Sequence, residues 1–210
     1  MRHGAGAIRV GLVGFWFNRG QATYLAQLRD ALRSAGVHVE ILARPAPKGF
    51  ERPSEVSHAP DWHDPYLTIG EDFELSLREI SAWADMKSLE TIMFFQFYDF
   101  STVRSLTGLG LRTIGTFMWE DFGRDLAIEA SSAYSSIYAL SKALFEKLLL
   151  WGVTAEYVEW GVHPDFARHR VDLAARQENP YVIFPGGFLS ARKPLGAVVK
   201  AFERVRPREV

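Results

Sequence analysis

A strand, a polar turn, a helix, a glycine and a second strand within the first 42 residues constrain this chain more than any other feature. Residues 8–15, IRVGLVGF, form an apolar run with β-branched side chains, the pattern of a strand buried on both faces. Asn18-Arg19-Gly20-Gln21 is a polar turn. From Gln21 to Ala35, Leu25, Leu28 and Leu32 recur at helical spacing and define one apolar stripe. Gly36 stands where helices commonly stop, and residues 37–42, VHVEIL, read as the next strand. A βαβ unit of this kind makes its two strands parallel and adjacent.

The alternation continues. Residues 71–87 read as a helix with Phe73, Leu77, Ile80 and Ala84 on one face, and residues 91–97 (TIMFFQF) as a strand. A short helix over 101–109 has Ser101 as its expected cap. A strand over 112–118 leads into Trp119-Glu120-Asp121. A helix over 125–132 and a strand over 136–140 follow. The helix over 141–151 should turn Leu144, Phe145, Leu148 and Leu149 inward and end at Gly152, ahead of a sixth strand over 155–158. Residues 43–70 hold five of the ten prolines and read as a long irregular loop, a kind that is usually functional or mobile. The expected fold is α/β, a doubly wound parallel sheet with helices on both faces, over residues 1–166. The polar stretch 167–179 reads as a linker, with Arg168, His169, Arg170, Asp172, Arg176 and Glu178. Over 180–210 the pattern restarts as strand, glycine-bearing loop and helix, with Pro194 suited to the first helical position. About 30 residues cannot bury a core of their own. The expectation is therefore the first βα unit of a second, truncated domain.

Composition removes several function classes. A net charge of −1 lacks the basic excess that a nucleic-acid partner requires. With no cysteine there is no disulfide, thiolate metal site or cysteine nucleophile, which fits a reducing compartment. No apolar run approaches the ~20 residues of a membrane span. Residues 1–7 lack the layout of a signal peptide. A cytoplasmic protein is expected, with peripheral membrane contact left open by an aromatic content of 13%.

Gly11, Gly14 and Gly20 do not space as the dinucleotide fingerprint, and the second strand closes on Arg44 rather than on an acid for a ribose hydroxyl. That disfavours a nicotinamide-dependent oxidoreductase. The helix start at Gly20-Gln21 reads either as an anion site or as an ordinary turn. In the later loop Gly186 and Gly187 permit close approach of a ligand to the backbone. Arg192 and Lys193 stand against the dipole of the helix that follows, at a cost of roughly 0.3–1 kcal/mol each. The pair makes sense if a diphosphate binds between them, and is otherwise a solvated basic pair. His58, Asp61, His63 and Asp64 form one cluster with metal-like spacing, but no third histidine is near and no metal is expected. No Ser-His-Asp set or nucleophile elbow is visible.

Three segments carry a resemblance. VGFWFNRGQATYLAQLRDALRSAGVHVEIL resembles the opening of glycosyltransferases of the GT-B fold, in particular the large retaining family four. SIYALSKALFEKLLLWGVTAEYVEWGVHPDF looks like that family's later strand, serine, helix and glycine-acid turn. YVIFPGGFLSARKPLGAVVKAFERV is similar to the start of its C-terminal domain. The segments keep the family order from about residue 9 to 206. The resemblance implies a Rossmann-like N-terminal domain on the acceptor side and transfer of a sugar, with retention, from a nucleotide-sugar donor to an acceptor hydroxyl. The acceptor would be a glycan, a lipid-linked or a small molecule. It implies donor contacts from Gly20, Gly186, Gly187, Arg192 and Lys193. Acceptor contacts are expected from Arg19, Gln21, Trp119, Glu120 and Asp121, the last three resembling a Trp-Glu element of some members. Trp119 would stack on a sugar face and the two carboxylates bind hydroxyls; the plainer reading is a surface acid pair beside a core tryptophan. No cofactor beyond the nucleotide-sugar co-substrate is implied, and no catalytic residue is assigned. The sequence departs from the pattern at Arg19-Gly20, where a doubled glycine is common, and at His163, where an acid is common. The family's Glu-x7-Glu element is absent, so the chain alone is expected to be inactive. The competing reading is a non-catalytic Rossmann-like binding or interaction domain.

Overall fold

In the computed structural model, described over residues 8–17, 20–45, 62–118, 122–159, 161 and 195–205, the opening unit forms β1 (Arg9–Phe15), α1 (Gly20–Ser34) and β2 (His38–Arg44). The chain continues through β3 (Leu67–Ile69), α2 (Leu77–Met86), β4 (Thr91–Phe95), α3 (Phe100–Gly108) and β5 (Arg112–Thr116). It then forms α4 (Arg124–Ala133), β6 (Ser136–Ala139), α5 (Lys142–Leu150) and β7 (Glu156–Tyr157). Among the described residues the seven strands are all parallel, in the order β3-β2-β1-β4-β5-β6-β7. This is a doubly wound, Rossmann-like α/β sheet.

The strand order explains the layers. From β1 the chain winds outward one way to β2 and β3, then crosses back to β4 and winds the other way. Right-handed crossovers then put the helices on opposite faces. Tyr24 and Leu25 of α1 pack with Leu12, Ile41 and Phe95 on one face. Helices α2 to α5 cover the other, bringing Ile80, Val103, Ala127 and Leu148 against Val13, Phe94 and Ile137. Glycines in β1 let a helix come close: a Cβ on Gly11 would lie 2.5 Å from the Trp83 ring of α2.

Local chemistry sets the helix ends. The Ser76 side chain accepts from the Glu79 N–H at the start of α2, and that of Ser141 from the Leu144 N–H at the start of α5. Gly36 at φ 81° and Gly152 at φ 77° close α1 and α5 in the left-handed conformation.

Several expectations need correction. The stretch read as irregular contains β3, which pairs with β2 as Ile41↔Leu67 through Ala43↔Ile69. Three residues are too few for an alternation to register in the sequence. Helix α2 starts at Leu77, not 71, because Ser76 caps it there. Helix α3 is capped by Asp99 rather than Ser101, since a carboxylate one residue before the helix reaches the Thr102 N–H. Leu149 faces outward, at 52% exposure, while Leu144 and Leu148 carry the buried contacts of α5.

The chain divides into two compact units, Met1–His163 and Pro164–Val210. In the second, the described residues form α6 (Leu195–Val205). The expected linker, the strand over 181–184 and the loop over 185–193 lie outside the described residues. Among the described residues no helix is long and apolar enough to cross a membrane.

Candidate functional site at the carboxyl edge of the sheet

Where strand order reverses between β1 and β4, the flanking crossovers diverge and leave a crevice at the carboxyl ends of the strands. A cavity of about 470 Å³ opens there, within the usual range for a small-molecule site. Phe15 ends β1, Arg44 ends β2, and Gln96 directly follows β4. Gln21 comes from the first turn of α1, Phe73 and Glu74 precede α2, and Tyr98 and Asp99 lead into α3.

Arg44 holds this edge together. It is 4% exposed, its Nε donates to the Phe73 carbonyl at 2.9 Å, and its Nη1 donates to the Gln96 carbonyl at 3.0 Å. Its guanidinium lies 4.1 Å from the Phe73 ring centre and within 5.6 Å of those of Phe97 and Phe15. Burial pushes its pKa below the ordinary arginine value, and Glu74, 3.7 Å away, pulls it partly back.

Gln96 ends β4 early because it turns to φ 48°, a conformation rare for a residue with a side chain. Its N–H still donates to the Thr116 carbonyl, at 2.9 Å. The turn aims its side chain at α1, where Gln21 Nε2 donates to Gln96 Oε1. Gln21 Oε1 is buried without a hydrogen-bond partner among the described residues. One residue on, the Phe97 carbonyl accepts from the Tyr134 hydroxyl at 2.8 Å, and burial raises the Tyr134 pKa well above the ordinary value. Asp99 is committed to α3. Its Oδ1 accepts from the Thr102 N–H and the Ser101 hydroxyl, and its Oδ2 from the Thr102 hydroxyl. Burial acts to raise the Asp99 pKa, but these bonds outweigh it and the net shift is downward.

Of the residues the sequence nominated, Gly20 opens α1 in an exposed position and Gln21 lines the cavity. Arg19, Trp119, Glu120, Asp121, Gly186, Gly187, Arg192 and Lys193 lie outside the described residues. Flanking 119–121, the Phe117 and Phe122 rings stack at 4.0 Å. Asp64, from the metal-like cluster, is instead clasped by arginines, with Arg33 Nη1 at 2.7 Å and Arg29 Nη1 at 3.2 Å. Its Oδ1 also accepts from the Tyr66 N–H.

Sequence reading missed Phe15, Arg44, Phe73, Glu74, Gln96, Tyr98 and Asp99 as site residues. Arg44 attracted notice there only as the absence of an acid. The available signal was position: in a parallel sheet, residues that end β1 and β2 and follow β4 converge on one edge.

No family model and no curated protein sequence matches the chain. Two solved structures of sucrose-phosphate synthase from Thermosynechococcus elongatus are similar to it, each with a TM-score of 0.48. One is 15% identical over 76% of this chain and 92% of that chain; the other is 13% identical over 72% and 47%. This chain therefore spans less than half the length of the latter. Tryptophan synthase from Pyrococcus furiosus aligns with a TM-score of 0.31 and 10% identity, over 73% of this chain and 87% of that one. At these scores the likenesses decide nothing about the site. The fold rests on strand order and the site on its own geometry: an open parallel α/β domain with a ligand-sized pocket at its switch point.

Proposed function

We propose that this chain is the acceptor-side part of a glycosyltransferase that moves a sugar, with retention, from a nucleotide-sugar to a hydroxyl acceptor. The observation that carries the reading is the make-up of the switch-point pocket. Phe15, Phe73 and Tyr98 line it with the aromatic residue types that suit the C–H surface of a sugar, and Gln21 and Gln96 line it with amides that suit its hydroxyls. The ordered resemblance of the three sequence segments to retaining GT-B enzymes supports the same reading. In it, Arg192 and Lys193 stabilise the diphosphate as charge develops on the leaving group. Trp119, Glu120 and Asp121 contribute to the acceptor side.

The test is release of nucleoside diphosphate from UDP-, GDP- and ADP-sugars by the natural gene product in the presence of sugar acceptors. The expected result is acceptor-dependent release that drops at least 100-fold in an Arg192→Ala, Lys193→Ala double variant. If no nucleotide-sugar is turned over and none binds, the proposal is wrong and a non-catalytic binding domain takes its place.

A further inference from the structure

Among the described residues, the charge of Arg44 is poorly matched. Its Nε and Nη1 donate to two carbonyls, which are neutral acceptors and not counter-ions. Among the described residues its one ionic partner is Glu74, 3.7 Å from Nη2, and the Glu74 side chain is 73% exposed. Asp99 lines the same pocket, yet its oxygens are already held by Ser101 and Thr102. A buried cation without a buried counter-charge is costly unless a ligand brings one. The same pocket holds a second incomplete group, Gln21 Oε1, which has no hydrogen-bond partner among the described residues and needs a donor such as a hydroxyl.

We infer that the pocket binds a polyhydroxylated molecule bearing an anionic group, carboxylate or phosphate, with Arg44 Nη2 taking the anion and Gln21 Oε1 accepting from a hydroxyl. The inference rests on the acceptor-pocket reading above and adds the charge of the acceptor. Glu74 then competes with the ligand for Nη2. Being mostly exposed, it can swing away at little cost when the anion arrives.

The test is calorimetric titration of the 210-residue chain at low salt with glucose, glucose 6-phosphate, glucuronate and inorganic phosphate. Glucose 6-phosphate, glucuronate or both should bind at least tenfold more tightly than glucose, and the two arms separate phosphate from carboxylate. Arg44→Gln should abolish the preference and Arg44→Lys retain part of it. Because Arg44 also ties two backbone segments, Glu74→Gln is the companion variant: it should tighten the anionic ligand severalfold and leave glucose unchanged. A purely structural Arg44 would leave Glu74→Gln without effect. Equal binding of glucose and its charged forms overturns the inference and leaves the sugar-transfer reading standing. Binding of inorganic phosphate through Arg44, with no sugar bound, overturns the inference, which requires the hydroxyl contact at Gln21, and leaves the sugar-transfer reading to its own test. Absence of binding by all four overturns the inference.

Discussion

Tyr134 shows how a residue outside the pocket fixes its shape. Its hydroxyl donates to the Phe97 carbonyl, within the segment Gln96–Asp99 that forms one wall, and its ring packs edge-on against Phe94, Phe100 and Phe117. Removing the hydroxyl strands a buried carbonyl, which costs about 1–2 kcal/mol. Tyr134→Phe should lower the urea midpoint accordingly. It should also weaken any ligand of the pocket, because the Phe97 carbonyl no longer has a fixed partner while Gln96 sits at φ 48° beside it. Unchanged stability in Tyr134→Phe would show that the bond contributes nothing net. The sequence offered no route to this residue. A tyrosine after a small-residue helix reads as generic core, and its partner is 37 positions away.

Among the described residues, three helix starts carry side-chain caps and α4 does not. Ser76, Asp99 and Ser141 cap α2, α3 and α5, whereas α4 begins on Gly123 with no side-chain bond. Ser141→Ala should destabilise the domain by about 1 kcal/mol. Gly123→Ser should stabilise it by roughly 0.5–1 kcal/mol. Its backbone at φ −81° suits a serine cap, no described residue lies within 4 Å of an added Cβ, and the unfolded chain loses glycine's freedom. Opposite shifts in thermal midpoint for the two variants are the expected reading. How much of this was legible follows from the same physics. The βαβ opening, Gly36 and Gly152 were readable because strand burial, helix periodicity and glycine stops are local. Strand β3 was not, because three edge residues take their structure from pairing with β2. The pocket was legible only through Gln21. Arg44, Gln96 and Asp99 gain their roles when strands distant in sequence end at one edge, which no local pattern encodes.

At the scale of the whole domain, three carboxylates tie distant segments together and share one pH signature. Glu40 in β2 meets Lys87 at 3.0 Å, His38 at 2.8 Å and Arg9 at 3.7 Å. Asp64 joins Arg29 and Arg33 of α1 to the turn before β3. Asp99 caps α3 at the pocket. In each, burial acts to raise the pKa, but hydrogen bonds, joined at Glu40 and Asp64 by neighbouring charges, outweigh it and leave the value below the ordinary range. A folded pKa below the unfolded one means that the unfolded chain binds more protons as acid is added. The stability these groups contribute is complete above the unfolded values, near pH 4, and is lost as pH falls through the lower folded values. The urea midpoint should therefore respond little to these carboxylates between pH 7 and roughly pH 5, and drop steeply below about pH 4. Asp64→Asn tests the assignment. The amide still accepts from the Tyr66 N–H but meets Arg33 without charge, so about 1.5–3 kcal/mol should be lost at neutral pH. The acid limb should become shallower, because one proton-linked group is gone. An acid limb of unchanged slope in Asp64→Asn would place the linkage elsewhere, and in Asp64→Asn, Asp99→Asn it would leave Glu40 alone among the three to carry it.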